Sequence, residues 1–428
     1  MNKKKMAIIG SGIAGLSSSL FLSKDFEVHL FEKNNLLGGH TRTIHFNDDF
    51  NKPQAIDTGF IVFNDRNYPD LVSFFKYLDV KTENSEMSFS VSCNSPKLEY
   101  GGSSLSSIFA ERKNIFSIKF IKLLFEIRRL YNLGRDLHTN NIYENLTIEE
   151  FLSKNNFSKN VRDFHIYPMI SSIWSSNNKD VKNFPFVSFI NFFNNHGLFD
   201  LYNRPKWKFV SGGSYKYVDS LIKKNLFKYY TNYKIKKITR ENNKIQLISE
   251  NNNLYTYDKI VFATHADQAM NLLDELSSDE KSILNSFKYT KNSAYLHTDE
   301  KLMPNSKLAW SSWNFLQNFD EKNNFALTYW MNKLQKINKN KNYFVSVNPN
   351  FEPDNIIDQT LFEHPVFNME TLKSQKKLGS IQGKKNTFYC GSYCGYGFHE
   401  DGIQSAAYIA KQLNIILPWK RSAEFKNR

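Results

Sequence analysis

The sequence predicts an α/β protein organised around a Rossmann-like dinucleotide-binding domain, and three observations carry that prediction. The chain opens on IIGSGIAGL at 8–16, a fingerprint of the form G-x-G-x-x-G. That fingerprint lies between an apolar run at 5–9 and a helical pattern at 13–23, and a second apolar run, EVHLF at 27–31, ends on Glu32. Near the C-terminus a strand-like TFY at 387–389 leads through Gly391 and a glycine-rich loop into a helical stretch at 403–413.

The bare fingerprint is weak, because glycines gather in ordinary turns; its setting decides the reading. Residues 5–9 read as a short buried strand. Ile13, Leu16, Leu20 and Phe21 then recur at helical spacing. Gly10 permits the tight turn, Gly12 lets the backbone approach a pyrophosphate, and Gly15 lets the helix lie close on the sheet. The helix N-terminus at Ile13 and Ala14 favours the phosphate charge. Glu32 stands about 20 residues past the fingerprint, where a carboxylate accepts hydrogen bonds from ribose hydroxyls. Lys33, beside it, is counted with the cofactor residues.

A length of 428 residues exceeds what one core organises, so two domains are expected. A hydrophobic fraction of 41% with 15% aromatics excludes a disordered chain. The net charge is +14, but its lysines are scattered through an Asn-rich sequence with no arginine-rich tract or nucleic-acid module; no nucleic-acid partner is expected. Cys93, Cys390 and Cys394 are too few for a disulfide framework and suit a reducing cytoplasm. The C-x-x-x-C spacing of the last two fits neither a redox motif nor a four-ligand zinc site, so no metal is expected. The basic, then apolar N-terminus imitates a signal peptide, but cleavage would remove the fingerprint. No apolar run reaches the roughly 18 residues that a membrane-spanning helix needs.

LLGGHTRT at 36–43 supplies a second glycine pair soon after the acid. With it, the chain resembles the flavin-containing amine oxidase superfamily, which includes monoamine and polyamine oxidases, protoporphyrinogen oxidase and phytoene desaturases. The resemblance implies FAD as cofactor and a Rossmann-like FAD-binding domain of the glutathione-reductase (GR2) type with a discontinuous α+β substrate domain. The superfamily's Gly-Gly-Arg is here Gly38-Gly39-His40, with Arg42 two positions on, so either His40 or Arg42 is expected at the pyrophosphate. Asp57-Thr58-Gly59-Phe60, a plain β-turn by itself, matches the loop that passes beside the flavin ring. KIKKI at 234–238 and YDKIVFATHA at 257–266 resemble the hairpin and closing strand of the same domain, which places Ile235 at the adenine and Ala263 at the strand's end. Gly391 and the turn Glu400, Asp401, Gly402 and Ile403 match the segment that aims a helix dipole at the flavin pyrimidine; acids there are also ordinary caps. The implied domains are 1–70, 206–290 and 380–428 for FAD, and 71–205 and 291–379 for substrate.

LHTD at 296–299, WSSWN at 310–314, LTYWMNKLQ at 327–335, EHPVF at 363–367 and GFHEDG at 397–402 resemble a narrower bacterial group of amine-oxidase-like flavoproteins linked to fatty acyl modification. The resemblance implies dehydrogenation of an apolar substrate, an unsaturated or methylated fatty acyl chain, with oxygen or a quinone as acceptor. Three alternatives stand beside it: oxidation of a primary amine or polyamine, flavin-dependent double-bond isomerisation, and a non-catalytic FAD-binding, membrane-associated protein. Lys291 lies where an amine oxidase holds an internal lysine, and is equally readable as a surface residue. His297, in an apolar strand, is either a proton-moving group or a satisfied core histidine. Trp310, Trp313 and Trp330, with Tyr396 and Phe398, are candidates to hold an apolar chain. Phe184, Phe186, Phe189, Phe192 and Phe193 read as pocket lining or as core. Residues 107–137 form a very apolar helical stretch interleaved with Lys and Arg: either a face for an anionic membrane or a core helix with solvated cations. A cytoplasmic protein with possible peripheral contact at the inner membrane face is the expectation.

Overall fold

The computed structural model describes residues 3–95, 97–137, 143, 145–200, 204–317, 325–337 and 340–421. Its first element, β1 (Lys4–Ile9), is buried over its last four residues, as a parallel strand covered on both faces must be. Gly10 turns the chain at φ +97°, and α1 (Ile13–Leu22) follows. Every residue of α1 is buried, because the helix lies between the sheet and the C-terminal helix His399–Gln412. Its serines tolerate this by bonding back onto the helix: Ser17 Oγ to the Ile13 carbonyl at 2.5 Å and Ser19 Oγ to the Gly15 carbonyl at 2.8 Å.

β2 (Phe26–Phe31) pairs parallel with β1. The full sheet runs in the order Lys228–Tyr230, β2, β1, Lys259–Phe262, Thr387–Tyr389, all parallel. The register aligns the strand ends. Ile9 lies opposite both Phe31 and Phe262, and Phe262 lies opposite Tyr389. The residues after those four strand ends, Gly10, Glu32, Ala263 and the Cys390–Gly391 pair, therefore gather on one carboxyl edge although they are up to 381 positions apart, the edge where open α/β sheets bind ligands.

A second sheet of seven strands runs Ile356–Val366, Lys288–His297, Phe344–Val347, Phe325–Trp330, Trp313–Gln317, Phe89–Cys93, Leu98–Gly101. It is antiparallel except where Trp313–Gln317 meets Phe89–Cys93. The helices between residues 105 and 195 enclose a core in which Phe184, Phe186, Phe189, Phe192 and Phe193 are all buried together. Those five phenylalanines are core on the observed packing.

Two boundaries move. Helix α2 (Pro69–Tyr77) buries Leu71, Phe74 and Phe75 in the same cluster as Met6, Ile8, Leu16 and Ile403, and Thr82–Asn84 pairs with Trp207–Val210. Residues 71–84 thus pack with the dinucleotide half, beyond the expected limit at 70. The C-terminal helix starts at His399, four residues before the expected 403, because Asp401 accepts from the Phe398 amide at 3.0 Å and closes the first turn.

Candidate functional site: a glycine cradle beside a neutral chamber

The cradle is built by missing side chains. A Cβ on Gly15 would lie 1.9 Å from the Gly10 carbonyl oxygen, and one on Gly10 would lie 2.9 Å from that of Ala263. Helix and strand approach too closely for any other residue. Gly12 is different: a Cβ there meets no protein atom within 4 Å, so its backbone faces open space at the N-terminus of α1. Gly39, at φ +60°, comes within 3.0 Å of the Gly12 Cα when given a Cβ, which sets the second glycine pair over the first. Gly402 would place a Cβ 2.7 Å from Ile13, so the first turns of α1 and the C-terminal helix abut. Two helix N-termini and two glycine turns converge here, an arrangement suited to a pyrophosphate and a second electron-rich group.

Glu32 is buried at the end of β2. Its Oε2 accepts from Ser11 N at 3.0 Å and Ser11 Oγ at 2.6 Å, and its Oε1 from Asn34 N at 2.9 Å. These bonds orient the carboxylate and leave Oε1 acceptor capacity for a ribose hydroxyl. Lys33 points to solvent. The Ile235 side chain is buried in the cluster of Ala7, Ile9 and Phe31 beneath this end of the sheet.

Beside the cradle the Gly39–His40 turn, the Thr58–Phe60 loop, the strand Ile356–Val366 and the loop before His399 pack together as the walls of a candidate substrate chamber. Thr58 is buried with its amide on the Arg42 carbonyl at 3.0 Å, and Gly59 would clash with the His40 carbonyl at 2.0 Å if it carried a Cβ. Phe60 stacks on His399 with centroids 3.8 Å apart. His40 stacks on Phe362 at 4.9 Å and lies 5.3 Å from His364. Gly397, at φ +97°, sits against Phe367 and Pro365. Phe398 stacks on Phe192 at 5.1 Å, and Trp174 Nε1 donates to the Tyr396 carbonyl at 2.9 Å, so both expected pocket residues stand where the Phe-rich core meets the chamber.

The histidines here are held neutral. Burial pushes His364 down to about 4 and His399 down to about 3, and lowers His265. His40 is driven well below the ordinary imidazole range by burial first and by the neighbouring histidines second. Asn292, its amide fixed by a 2.7 Å bond from Asn348 to its Oδ1, donates from Nδ2 to His364 Nδ1 at 2.9 Å. That leaves the His364 proton on Nε2. His40 bonds the Glu363 backbone, and its buried Nε2 has no protein partner. A neutral ring donating at Nδ1 presents Nε2 as an acceptor, which suits a ligand hydroxyl or N–H rather than a phosphate oxygen.

Several expected roles are therefore corrected. Arg42 does not reach for a pyrophosphate: its guanidinium is bidentate on Asp358, with NH2 to Oδ1 at 2.8 Å and NH1 to Oδ2, and touches Thr58 Oγ1 at 3.3 Å. With the His40 ring an acceptor, the backbone N–H groups of the cradle remain as the candidate pyrophosphate donors. Glu400 turns away from the cradle and caps α2, accepting from the Asp70 and Leu71 amides at 3.1 and 2.9 Å; burial raises its carboxyl to about 7. Asp401 caps its own helix, whereas Ile403 is core. Lys291 is exposed: strand alternation turns Asn292 inward and Lys291 out, opposite Glu363. A bulge between Leu296 and His297 swings His297 inward, where Nε2 meets Ser346 Oγ at 2.8 Å and Nδ1 accepts from the Asp299 amide at 3.1 Å. Burial lowers it to about 4. It is a satisfied core histidine. Trp310 and Trp330 form a separate cluster with Met303 and Phe344, next to His297. Trp313, edge-on to Tyr329 at 5.0 Å, packs in the cluster of Phe362 and so stays with the chamber.

His364, Asn292, His399 and Phe362 are site residues that sequence reasoning misses. A usable signal exists for two of them: EHPVF at 363–367 lies on a strand, and inward alternation from Asn292 is legible in KNSAYLH at 291–297.

Asp57 ties the surroundings together. Buried completely, it accepts from Thr43 Oγ1 at 2.5 Å, Ser214 N and Oγ at 2.8 Å each, and Gln335 Nε2 at 2.7 Å. Burial pushes its carboxyl up to about 7 against hydrogen bonds that favour the anion. The three thiols are free, and burial raises Cys93 and Cys390 to about 12.

Comparison with known proteins bears on the fold. Residues 8–78 match the NAD(P)-binding Rossmann-like domain family. A 156-residue stretch, 33% of the chain, is 31% identical to 1-hydroxycarotenoid 3,4-desaturase of a Flavobacterium species; it spans 30% of that protein's length. Over 96% of its length the chain superposes on a CLA-producing fatty acid isomerase from P. acnes, with a TM-score of 0.68, 14% identity and 98% of that chain covered. It is similarly close to a putrescine oxidase variant (TM-score 0.71, 12% identity, covering 96% of this chain and 99% of that one). Cyclohexylamine oxidase from Brevibacterium oxydans superposes with a TM-score of 0.64 at 13% identity, over 96% of this chain and all (100%) of that one. Residues 8–78 thus match a Rossmann-like NAD(P)-binding domain, and over 96% of its length the chain shares the mixed α/β fold of these solved structures.

Proposed function

We propose that this protein is an FAD-dependent oxidoreductase that dehydrogenates an apolar substrate, an unsaturated or methylated fatty acyl chain being the best fit. The observation that carries the reading is the set of aromatic and neutral imidazole side chains packed beside the glycine cradle. The chamber walls are mainly aromatic rings and neutral imidazoles: Arg42 is paired with Asp358, and Glu400 faces α2. An anionic headgroup finds Arg42 already paired, whereas a hydrocarbon chain needs no counter-ion.

The residues fit the cofactor. Gly12, Gly39 and the first turn of α1 would hold the pyrophosphate, Glu32 the ribose, and the first turn of the C-terminal helix would meet the pyrimidine end. Bound there, FAD supplies hydride acceptance from a carbon activated by a neighbouring double bond. The chain's own part is to orient that carbon and exclude water. His364, neutral with its proton on Nε2, can donate a hydrogen bond, and His40 Nε2 can accept one. The relatives' names support an apolar substrate: one is a carotenoid desaturase and another a fatty acid isomerase.

The isomerase favours a second reading, double-bond migration with no net consumption of acceptor. Amine oxidation is weakened by Lys291, which lies at the surface and so cannot be the internal lysine that chemistry calls for. Anaerobic titration of the yellow protein separates the three. Bleaching of the flavin band by unsaturated acyl lipids supports dehydrogenation. Altered double bonds without bleaching mean isomerisation, and bleaching by amines alone sinks both lipid readings. A colourless protein that cannot be reconstituted with FAD overturns the proposal.

A further inference from the structure

The helix Ile118–Asp136 has two faces of opposite character. Its inner face buries Phe120, Leu123 and Leu130 in the Phe-rich core, and Ser117 caps its start, accepting from the Phe120 amide at 3.3 Å. Those contacts hold the helix without help from the outer face. On the outer face and in the turn before it, large apolar side chains stand in solvent: Phe116 is 88% exposed, Ile118 86% and Phe125 68%. Ile115 joins them. Ile118, Lys122 and Phe125 recur at i, i+4 and i+7, so they share one side of the helix. A clustered exposed apolar surface of this kind marks a contact site rather than the usual scatter of single residues.

The charge around the patch identifies the partner. Residues 104–129 hold six Lys and Arg and two acids. Both acids are engaged. Glu126 is turned to Ser158, accepting from its backbone N at 3.2 Å and from its hydroxyl. The Glu111 side chain is 8% exposed and holds Asn114 and Lys113. Arg112, Lys113, Lys119, Lys122 and Arg128 are exposed around the apolar tips. Apolar side chains that project through a ring of cations match a surface that is anionic outside and hydrocarbon beneath. Among the described residues no helix is long and apolar enough to cross a membrane, so the contact would be peripheral.

We propose that this face docks the protein on an anionic phospholipid bilayer, with Phe116, Ile118 and Phe125 entering the headgroup–acyl boundary and the lysines meeting lipid phosphates. The site is independent of the cofactor, and its test does not depend on flavin content.

The full chain is sedimented with vesicles of phosphatidylglycerol mixed with phosphatidylcholine, and with vesicles of phosphatidylcholine alone. Binding to the anionic vesicles is expected to be about tenfold tighter or more. The pair Phe116→Ser with Ile118→Ser and the pair Lys119→Glu with Lys122→Glu should each reduce it by about tenfold, with circular dichroism unchanged. Raising salt from about 0.05 to about 0.5 M should weaken it strongly. Equal pelleting with both vesicle types, or salt-independent pelleting of the wild-type chain, overturns the proposal without reference to any variant. So does a wild-type dimer that the Phe116 and Ile118 substitutions dissociate, which would assign the patch to a second copy of the chain.

Discussion

At the carboxyl edge of the parallel sheet, Gly15 leaves 1.9 Å between an imagined Cβ and the Gly10 carbonyl; across the chamber, His364 is set by an amide 2.9 Å away on another strand. The first region is specified by backbone approach and the second by side chains brought together by register. A cradle of the first kind fails when anything is added. A wall of the second kind fails when a partner is moved. The difference explains why the two regions should respond to mutation in opposite ways.

The largest effect is expected at Gly15. Gly15→Val drives methyl groups into the Gly10 turn and should cost about 3 kcal/mol or more, seen as a large fall in thermal midpoint together with loss of yellow colour. His297→Ala removes the partner of Ser346 in the buried sheet, and should cost about 2 kcal/mol while FAD content per folded molecule stays at the wild-type level. Loss of FAD in that variant would return His297 to the site. Gly12→Ala sharpens the comparison most, because the added methyl meets no protein atom. Stability should change by no more than about 1 kcal/mol, whereas FAD affinity measured by fluorescence should drop about tenfold; equal affinity would mean that the pyrophosphate does not approach Gly12.

Acid should test the chamber. Its histidines are depressed to about 4 at His364 and about 3 at His399. Such groups contribute stability that is complete above the unfolded imidazole value of about 6.5 and is lost as pH falls through that range toward their folded values. Asp57 and Glu400, raised to about 7, act with the opposite sign: their contribution is complete below the unfolded carboxyl values of about 4 and is lost as pH rises from there to about 7. The two trends oppose each other between about pH 4 and 6.5, so the thermal midpoint should change little there, fall as pH drops further toward the folded histidine values, and level off above about pH 7. The smallest effect is expected at Lys291: Lys291→Ala should leave stability within about 0.5 kcal/mol and flavin reduction unchanged. A loss of turnover there would revive the amine oxidase reading.

The same contrast accounts for what can be read from the residues. Gly10, Gly12, Gly15, Glu32 and Gly39 are legible because a βα turn is local, and the spacing of its parts is fixed by one strand and one helix. The place of Ala263 and Gly391 beside them is legible only through the resemblance of YDKIVFATHA and of the glycine-rich loop after Gly391 to known segments of such domains. Arg42 misleads because its partner, Asp358, lies 316 positions away and leaves no local trace. His297 is ambiguous in the sequence because a one-residue bulge decides which way it faces, and a bulge is set by the neighbouring strand. Phe362 and His364 belong to the site only because Ile356–Val366 is folded over the His40 turn.

Asp57 sits where three separated stretches of chain meet, at Thr43, Ser214 and Gln335. Each half of the molecule is assembled from segments that leave it and return, and this one carboxyl is held by donors from both. Neither half can be cut out as a continuous piece of sequence, and neither can loosen without stripping the other's bonds from a buried acid. Calorimetry should accordingly record a single cooperative transition, and limited proteolysis at surface loops should leave nicked fragments that remain associated until that transition is reached.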